Sequence, residues 1–313
     1  MSSERVVVMM KHFLGDAVMA TPMIDGLLGL RRGVCVATTP TVSRMLEAPF
    51  RPVEHIALKR TSKGISDTFR LARSLRRGRF DVAILVNRSF RSALTVRLAG
   101  IKVRAGHAIE GRTFLLTHSV PYDWEKSESD CYLELARLVG FDVQAVEPKL
   151  VADKTERAAG KDLLKGAVVG IQPGASTHWK RIPLPVLAAM IDGWHEAGYA
   201  TALLGGPEEG EAGETLAAAA QAPTVNLIGA TDIRTLMGVL ANLRMVIGGD
   251  TGLMHVAAAV GCPTVTAFGS RPPSSKWGHL YPPHKVLDAP GGKVENMTFE
   301  CLAAATELTV ARS

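Results

Sequence analysis

The sequence predicts an α/β protein made of two doubly wound parallel-sheet domains, and three observations carry that expectation. Short β-branched runs alternate with helical periodicities along the whole chain, the pattern of parallel strands joined by crossover helices. A charged stretch poor in strand formers, 152–165, separates two such runs. The length, 313 residues, suits two domains at roughly 100–200 residues each.

The first strand is Arg5–Met10, RVVVMM, short and apolar throughout as a strand buried on both faces must be. A loop at Lys11–Gly15 leads into a helix over Asp16–Leu30, apolar at Val18, Met19, Met23, Leu27 and Leu30. Pro22 within it predicts a kink or a carbonyl left free. Strands follow at Val34–Thr38, more weakly at Glu54–Leu58, and at Phe80–Asn87, with helices at Ser66–Leu75 and Ser89–Leu98. Short strands at Lys102–Gly106 and Thr117–Val120 precede a helix at Ser129–Val139 that Gly140 ends.

The second half repeats the alternation. Strands are expected at Ala167–Gln172, Tyr199–Gly205, Thr224–Leu227, Met245–Gly248 and Thr264–Phe268. Helices are expected at Pro185–Ala197 (stopped by Gly198), Glu208–Ala220, Asp232–Ala241 and Gly252–Val260, with a helical tail from Glu295. Doubly wound sheets bind ligands at the carboxyl ends of their strands, so the expected site is a cleft between the domains.

Composition narrows the class. Apolar residues make up 47% and charged residues 21%, an ordinary soluble balance. The formal charge of +6 suits an anionic partner such as a nucleotide diphosphate or a phosphorylated lipid. Equally, much of the arginine is read as solvated surface, including the cluster Arg70, Arg73, Arg76, Arg77 and Arg79. No aromatics interleave with it, so no nucleic-acid partner is expected. The four cysteines, Cys35, Cys131, Cys262 and Cys301, form no CxxC pair and read as small buried hydrophobes. No signal-type segment and no apolar run near the ~20 residues of a membrane span is present. A cytoplasmic location is expected, with at most peripheral membrane contact and a monomeric state.

Three loops carry candidate chemistry. In the first, Lys11-His12-Phe13-Leu14-Gly15-Asp16, Gly15 permits a close backbone approach. Asp16 reads either as a helix N-cap or as a carboxylate that takes a proton from an acceptor hydroxyl. In the second, 172–181, Ser176 and Thr177 offer hydroxyls, Lys180 a point charge and Arg181 a fork, all suited to phosphate; a polar surface loop with a chance basic pair is the plainer reading. The third, Gly248-Gly249-Asp250-Thr251-Gly252-Leu253-Met254-His255, joins a strand to a helix whose N-terminus is a ready anion site. His255 and Asp250 read there as site residues or as a buried histidine and a plain cap. Glu208 and Glu209, after a strand, are weaker candidates for ribose hydroxyls. GxGxxG after the first strand, GxSxG, HExxH and DxD are absent, which disfavours a dinucleotide dehydrogenase and a metal-dependent sugar-nucleotide transferase; no metal site is expected.

Together these loops resemble the ADP-heptose:lipopolysaccharide heptosyltransferases, glycosyltransferase family 9. The matching stretches are KHFLGDAVMATPMIDGL (11–27), NRSFRSALTVRLAGIKVRAGH (87–107), IQPGASTHWKRIP (171–183), LLGGPEE (203–209) and GGDTGLMHVAAAVGCPTVTAFGS (248–270). They span nearly the whole chain in the family's order. The resemblance implies a GT-B fold of two Rossmann-like domains facing across a cleft: 1–155 on the acceptor side, 156–294 holding the ADP-sugar, and 295–313 as a helix packing back on the first domain. It implies an inverting, metal-independent transfer from ADP-L-glycero-β-D-manno-heptose, a co-substrate, with no cofactor, to a hydroxyl of an acceptor sugar of the lipopolysaccharide inner core.

By the same resemblance Asp16 is the general base and Lys180 contacts the donor phosphate. Thr251, Gly252 and Leu253 give backbone donors to the diphosphate, and Asp250 and His255 lie near the heptose. Glu209, with Glu208 behind it, would bind ribose, and Ala230 and Thr231 would flank the adenine. Lys11, His12, Asn87, Arg88 and Arg91 would fall on the acceptor side. The chain departs from the family in carrying Gly248 and Gly249 where Ser or Asn often precedes the aspartate. A small secondary-metabolite acceptor, another nucleotide sugar and a non-catalytic sugar-nucleotide-binding protein stand as alternatives.

Overall fold

Valine-rich β1 (Arg5–Met9) is buried along nearly its whole length, and it lies at the centre of a parallel sheet in the computed structural model of the chain. The structure describes residues 4–30, 32–48, 51–58 and 64–310, with side chains to residue 306. The chain divides into two units, Met1–Leu150 and Val151–Ser313; the break falls between residues 150 and 151 rather than after 155.

In the first unit β1 leads through α1 (Leu14–Met19) and α2 (Thr21–Gly29) to β2 (Gly33–Thr38), then through α3 (Pro40–Leu46) to β3 (Glu54–Ala57). Next come α4 (Ile65–Arg77), β4 (Val82–Leu85), α5 (Phe90–Leu98), β5 (Val103–His107), β6 (His118–Val120) and α6 (Glu128–Leu138). The strand order is β3-β2-β1-β4-β5-β6, and every pairing is parallel. The second unit runs α7 (Lys154–Leu164), β7 (Val169–Ile171), α8 (Leu184–Glu196), β8 (Thr201–Leu203), α9 (Gly210–Ala219), β9 (Thr224–Asn226), α10 (Ile233–Leu240) and β10 (Met245–Gly249). It continues with α11 (Gly252–Ala259), β11 (Thr264–Phe268), α12 (Ser274–Trp277), β12 (Lys285–Asp288) and α13 (Phe299–Val310). Its order, β12-β11-β10-β7-β8-β9, is the same doubly wound arrangement, again parallel throughout.

The expected helix over 16–30 is two helices. Pro22 has no N–H to give to the Val18 carbonyl; the Thr21 hydroxyl donates to that carbonyl instead, at 2.8 Å. The same hydroxyl accepts from the Lys149 N–H at 3.1 Å. The charged stretch 152–165 holds no strand, as its composition implies, and it forms α7, started by a capping box between Asp153 and Glu156. Three short elements, α3, α12 and β12, were not legible. α3 begins on a proline at its first turn, and four residues of β12 show no alternation against solvent.

α13 packs on α8 and β11, and Leu302 and Ala305 join Leu187, Ile191 and Trp194 in the core of the second unit. Residues 311–313 of the expected segment lie outside the described residues. Among the arginines, several are internal fasteners rather than solvated surface. Buried Arg51 makes a bidentate pair with Asp25 (2.6 and 2.7 Å) and donates to the Leu46 and Lys149 carbonyls. Arg104 donates to the carbonyls of Leu115, Ile101 and Lys102. Cys35, Cys131 and Cys262 are buried free thiols, as read, and Cys301 is half-buried.

α7 and α10 meet through glycines. A Cβ on Gly160 would lie 2.3 Å from the Gly238 carbonyl carbon, and one on Gly238 would lie 2.0 Å from the Glu156 carbonyl oxygen. Arg234 then reaches Glu156 with both Nε and Nη2, at 2.5 and 2.7 Å. Backbone cannot retreat as a flexible side chain can. Gly238→Ala is therefore expected to cost about 1–3 kcal/mol, read as a lower urea midpoint with an unchanged slope; an unaltered midpoint would show that the two helices tolerate separation.

Candidate active site

In each sheet the two central strands carry helices to opposite faces, so the loops leaving their carboxyl ends diverge. In the first unit these are the loops after β1 and β4, which hold Lys11–Asp16 and Asn87–Arg91. In the second they follow β7 and β10 and hold 172–181 and 250–255. Pairing continues into both pairs of loops: the Asn87 N–H donates to Met9 O at 3.2 Å, and the Gln172 N–H to Ile247 O at 2.9 Å.

Asp16 does not cap α1. The N-cap is Phe13, without a side-chain bond, and Asp16 lies in the first turn with its carboxyl buried. Its Oδ1 accepts from Lys11 Nζ at 2.5 Å and from the Tyr132 hydroxyl at 2.8 Å. Oδ2 has no side-chain donor among the described residues. Lys11 also reaches Glu128 Oε1 at 3.0 Å. Tyr132 lies 2.7 Å from that same oxygen, so its single proton serves one carboxylate at a time. Tyr122 donates to Glu128 Oε2. The Glu128 side chain is wholly buried. Burial alone would raise its carboxyl, but the Lys11 ammonium and the two tyrosine hydroxyls outweigh that and bring it down to about 2. Burial first, and then Glu128, hold the Tyr132 and Tyr122 phenols well above their ordinary range, with Asp16 adding to the effect on Tyr132. Glu128 and Tyr132 were missed in the sequence. Their spacing, four residues apart on one face of α6, was the only signal available.

All five acceptor-side candidates line one cavity of about 690 Å³ in the first unit: Lys11, His12, Asn87, Arg88 and Arg91. The loop after β4 is held from beneath by Arg112, fully buried, which donates to the carbonyls of Asn87 (2.7 Å), Ser89 and His107. Burial pulls that guanidinium down to about 10. Arg88 stacks on the Tyr122 ring at 4.3 Å and reaches Trp124 at 5.5 Å. Asn87 Nδ2 donates to Met10 O at 3.3 Å. Asn87 Oδ1 and Arg88 Nη1 are buried without a hydrogen-bond partner among the described residues, polar atoms at the cavity wall with capacity to spare. Arg91 instead ties α5 to α4, through Thr68 Oγ1 and Gly64 O, both at 2.6 Å.

In the second unit Lys180 Nζ donates to Asp250 Oδ2 at 2.5 Å, and His255 Nε2 lies 3.4 Å from Asp250 Oδ1. Burial would raise the Asp250 carboxyl, but His255 and Lys180 together hold it below the usual range. Gly249 is required for this approach, since a Cβ there would lie 1.9 Å from the Lys180 carbonyl oxygen. Thr251 is the N-cap of α11, yet its hydroxyl donates to Gln172 Oε1 rather than capping the helix. Gln172 in turn donates to Glu209 Oε1 at 3.1 Å, and the Gly206 N–H donates to Oε2 at 2.8 Å. Both Glu209 oxygens are thus engaged, and burial raises its carboxyl. Thr177 Oγ1 is buried without a hydrogen-bond partner among the described residues. Arg181 spends two N–H groups on the Ala175 carbonyl (3.2 and 3.1 Å), bracing its own loop. Ser176, Glu208 and Ala230 are exposed, and Thr231 is half-buried; none of them joins this network. Gly15 is buried, and Gly252 and Leu253 open α11. Among the described residues no group of three or more His, Cys, Asp or Glu side chains is placed to hold a metal ion.

Residues 68–288 match the family described as glycosyltransferase family 9 (heptosyltransferase). The chain is similar to lipopolysaccharide heptosyltransferase 2 of Escherichia coli, at 30% identity over 75% of this chain and 72% of that protein. It is also similar to lipooligosaccharide heptosyltransferase 2 of Haemophilus influenzae, at 27% over 76% and 72%. Its fold matches the crystal structure of a family 9 glycosyl transferase from Veillonella parvula, with a TM-score of 0.88 at 18% identity over 99% and 98% of the two chains. It also matches that of Escherichia coli ADP-heptose lipopolysaccharide heptosyltransferase II, with a TM-score of 0.86 at 24% over 98% and 99%.

The depressed Glu128 carboxyl makes stability depend on acidity. Its folded value of about 2 lies below the ordinary 4.5, so the unfolded chain takes up a proton first as pH falls. The contribution is complete above pH 4.5 and is lost on descent toward pH 2. At about 1.4 kcal/mol per unit, it is on the order of 3 kcal/mol. Urea titrations above and below that window should show wild type losing more stability on acidification than Glu128→Gln, and parallel losses would remove Glu128 from the account.

Proposed function

Because the chain belongs to glycosyltransferase family 9, the heptosyltransferase family, we propose that it moves a heptose from ADP-L-glycero-β-D-manno-heptose to a hydroxyl of an acceptor sugar in the lipopolysaccharide inner core. The observation that carries the reading is the buried Asp16 carboxylate at the end of β1, with Oδ1 taken by Lys11 and Tyr132 and Oδ2 without a side-chain donor. The relatives named above act, by their names, on lipopolysaccharide or lipooligosaccharide, which supports the acceptor class.

In this mechanism the acceptor oxygen attacks the anomeric carbon from the face opposite ADP, so configuration inverts. The bond from that carbon to the phosphate oxygen breaks, and its electron pair stays on the β-phosphate. Oδ2 of Asp16 takes the acceptor proton. Positive charge builds on the ring and negative charge on the diphosphate. Lys180 supplies the cation for that charge, and the backbone N–H groups of Thr251, Gly252 and Leu253 supply dipoles at the start of α11. Asp250 stays with His255 when Lys180 turns to the diphosphate. No metal or cofactor takes part in this proposal. The acceptor occupies the cavity lined by Lys11, His12, Asn87 and Arg88, whose cations suit an acidic sugar or a phosphorylated lipid.

Among the described residues no helix is long and apolar enough to cross a membrane. We place the chain, as a monomer, at the cytoplasmic face of the inner membrane, in peripheral contact at most.

Incubation with ADP-heptose and an inner-core acceptor should give a transferred heptose and free ADP. Competition by UDP or GDP in place of ADP would redirect the donor, and transfer only to small non-lipid acceptors would redirect the acceptor. Asp16→Ala is expected to lower turnover by about 10²–10⁴-fold with ADP affinity kept; full turnover would end the base assignment. Lys180→Ala should weaken ADP binding by at least about tenfold, the order of a lost charge-assisted bond. An unchanged ADP affinity, measured by calorimetry, would take Lys180 out of the donor site.

A further inference from the structure

Behind Asp250 the second unit holds a chain of buried rings that the transfer step does not use. His255 Nδ1 lies 3.0 Å from His279 Nε2, and His279 Nδ1 lies 2.9 Å from the Tyr281 hydroxyl. Both histidines are buried. Trp277 closes on His255 at 5.8 Å between ring centroids, and His284 lies 5.7 Å from His279. His284 is engaged with Thr264 Oγ1 at 3.1 Å.

The polarity of this chain follows from its charged end once the His255 ring carries a single proton. A carboxylate only accepts, so the His255 nitrogen facing Asp250 carries the proton. With a single proton on the His255 ring its other nitrogen is an acceptor, and His279 Nε2 then donates to it. Burial drives the His279 imidazole down to about 2, with the neighbouring histidines adding to the effect, so this ring is neutral. Its Nδ1 must therefore accept, and Tyr281 must donate. Any other tautomer of His279 would set two lone pairs or two N–H groups against each other in a buried space.

We propose that Tyr281 and His279 are positioning residues that lock His255 as the Nε2–H tautomer, so that His255 stays with Asp250 when the Lys180 ammonium turns to the donor diphosphate. This rests on the reading of the Lys180–Asp250 pair as part of the donor site. Without the relay His255 could turn or change tautomer. Asp250 would then hold Lys180 more tightly, and the cation would be less available to the leaving group. The effect belongs in turnover rather than in the affinity for the acceptor.

The test uses the full chain labelled with ¹⁵N at histidine and two substitutions. His279→Phe removes both nitrogens. His279→Gln keeps an amide N–H toward His255 and a carbonyl toward Tyr281. Nitrogen shifts should report His255 protonated at Nε2 in the wild type and in His279→Gln, and not held there in His279→Phe. The kcat for heptose transfer should fall by about tenfold or more in His279→Phe, as for lost outer-shell partners, with acceptor KM unchanged and His279→Gln within about threefold of wild type. If His279→Phe does not fold, Tyr281→Phe, which removes only the hydroxyl, gives the same readouts. The proposal is overturned by a wild-type His255 protonated at Nδ1, by wild-type kcat in His279→Phe, or by equal losses in the Phe and Gln variants. The spectrum needs no turnover. A wild-type chain that transfers no heptose would therefore overturn the functional reading separately from the tautomer assignment.

Discussion

The constraint on which both units depend is the parallel adjacency of β1 with β4 and of β7 with β10. Strands that neighbour in a parallel sheet but send their crossovers to opposite faces cannot cover the space beyond their carboxyl ends. Loops from both strands border that space, so polar side chains can be buried there without breaking the ladder. The strands themselves can be wholly apolar, as Val6–Val8 and Val82–Leu85 are. Lys11 and Asp16 in the first unit, and Lys180 and Asp250 in the second, are anchored at this point.

The two switch points differ in charge arithmetic, and the difference matches the roles assigned to them. In the first unit one ammonium, Lys11, is shared by two carboxylates, Asp16 and Glu128. That cluster is formally one negative charge in excess, which suits proton abstraction. Glu128 is the carboxylate with its oxygens committed, one to Tyr122 and the other to Lys11 and Tyr132, leaving Asp16 as the partner with an oxygen free of side-chain donors. In the second unit one carboxylate, Asp250, faces one ammonium, Lys180. That pair is formally neutral, so in the proposed function an incoming diphosphate would meet dipoles and a cation whose counter-charge is already balanced.

What the sequence revealed tracks how local each signal is. The central strands were legible because valine runs buried on two faces look the same in any context. Gly198 and Gly140 marked helix ends correctly, since both adopt positive φ, where glycine is favoured. Lys11, Asp16, Lys180 and Asp250 could be singled out because each lies in a connection that leaves a recognisable strand. Glu128, Tyr132, Gln172, His279 and Tyr281 were not singled out, because their importance lies in partners distant along the chain. Glu128 is 117 residues from Lys11, and Gln172 is 79 from Thr251. Arg112 was hidden for a related reason: nothing in composition separates an arginine that binds three carbonyls from a solvated one. Glu209 was found by position, yet its carboxylate faces its own loop, because a backbone N–H three residues earlier competes for it.

Lys180 raises a last question: how a flexible side chain can be aimed well enough to serve chemistry. The answer lies in backbone rather than in side-chain packing. The carbonyl of Lys180 passes so close to Gly249 that no Cβ could stand between them. The turn that carries the lysine, His178–Lys180, therefore rests directly on the end of β10. Arg181, the next residue, clamps the same loop to Ala175 on its other side. The close backbone approach at Gly249 and the Arg181 side chain on the Ala175 carbonyl thus locate the Lys180 Cα before any rotamer is chosen, and Asp250, one residue beyond Gly249, needs only to select among the rotamers that remain. Glycine at 249 is therefore a geometric requirement for placing the cation, because any larger residue there would push the lysine backbone away from the strand it must face.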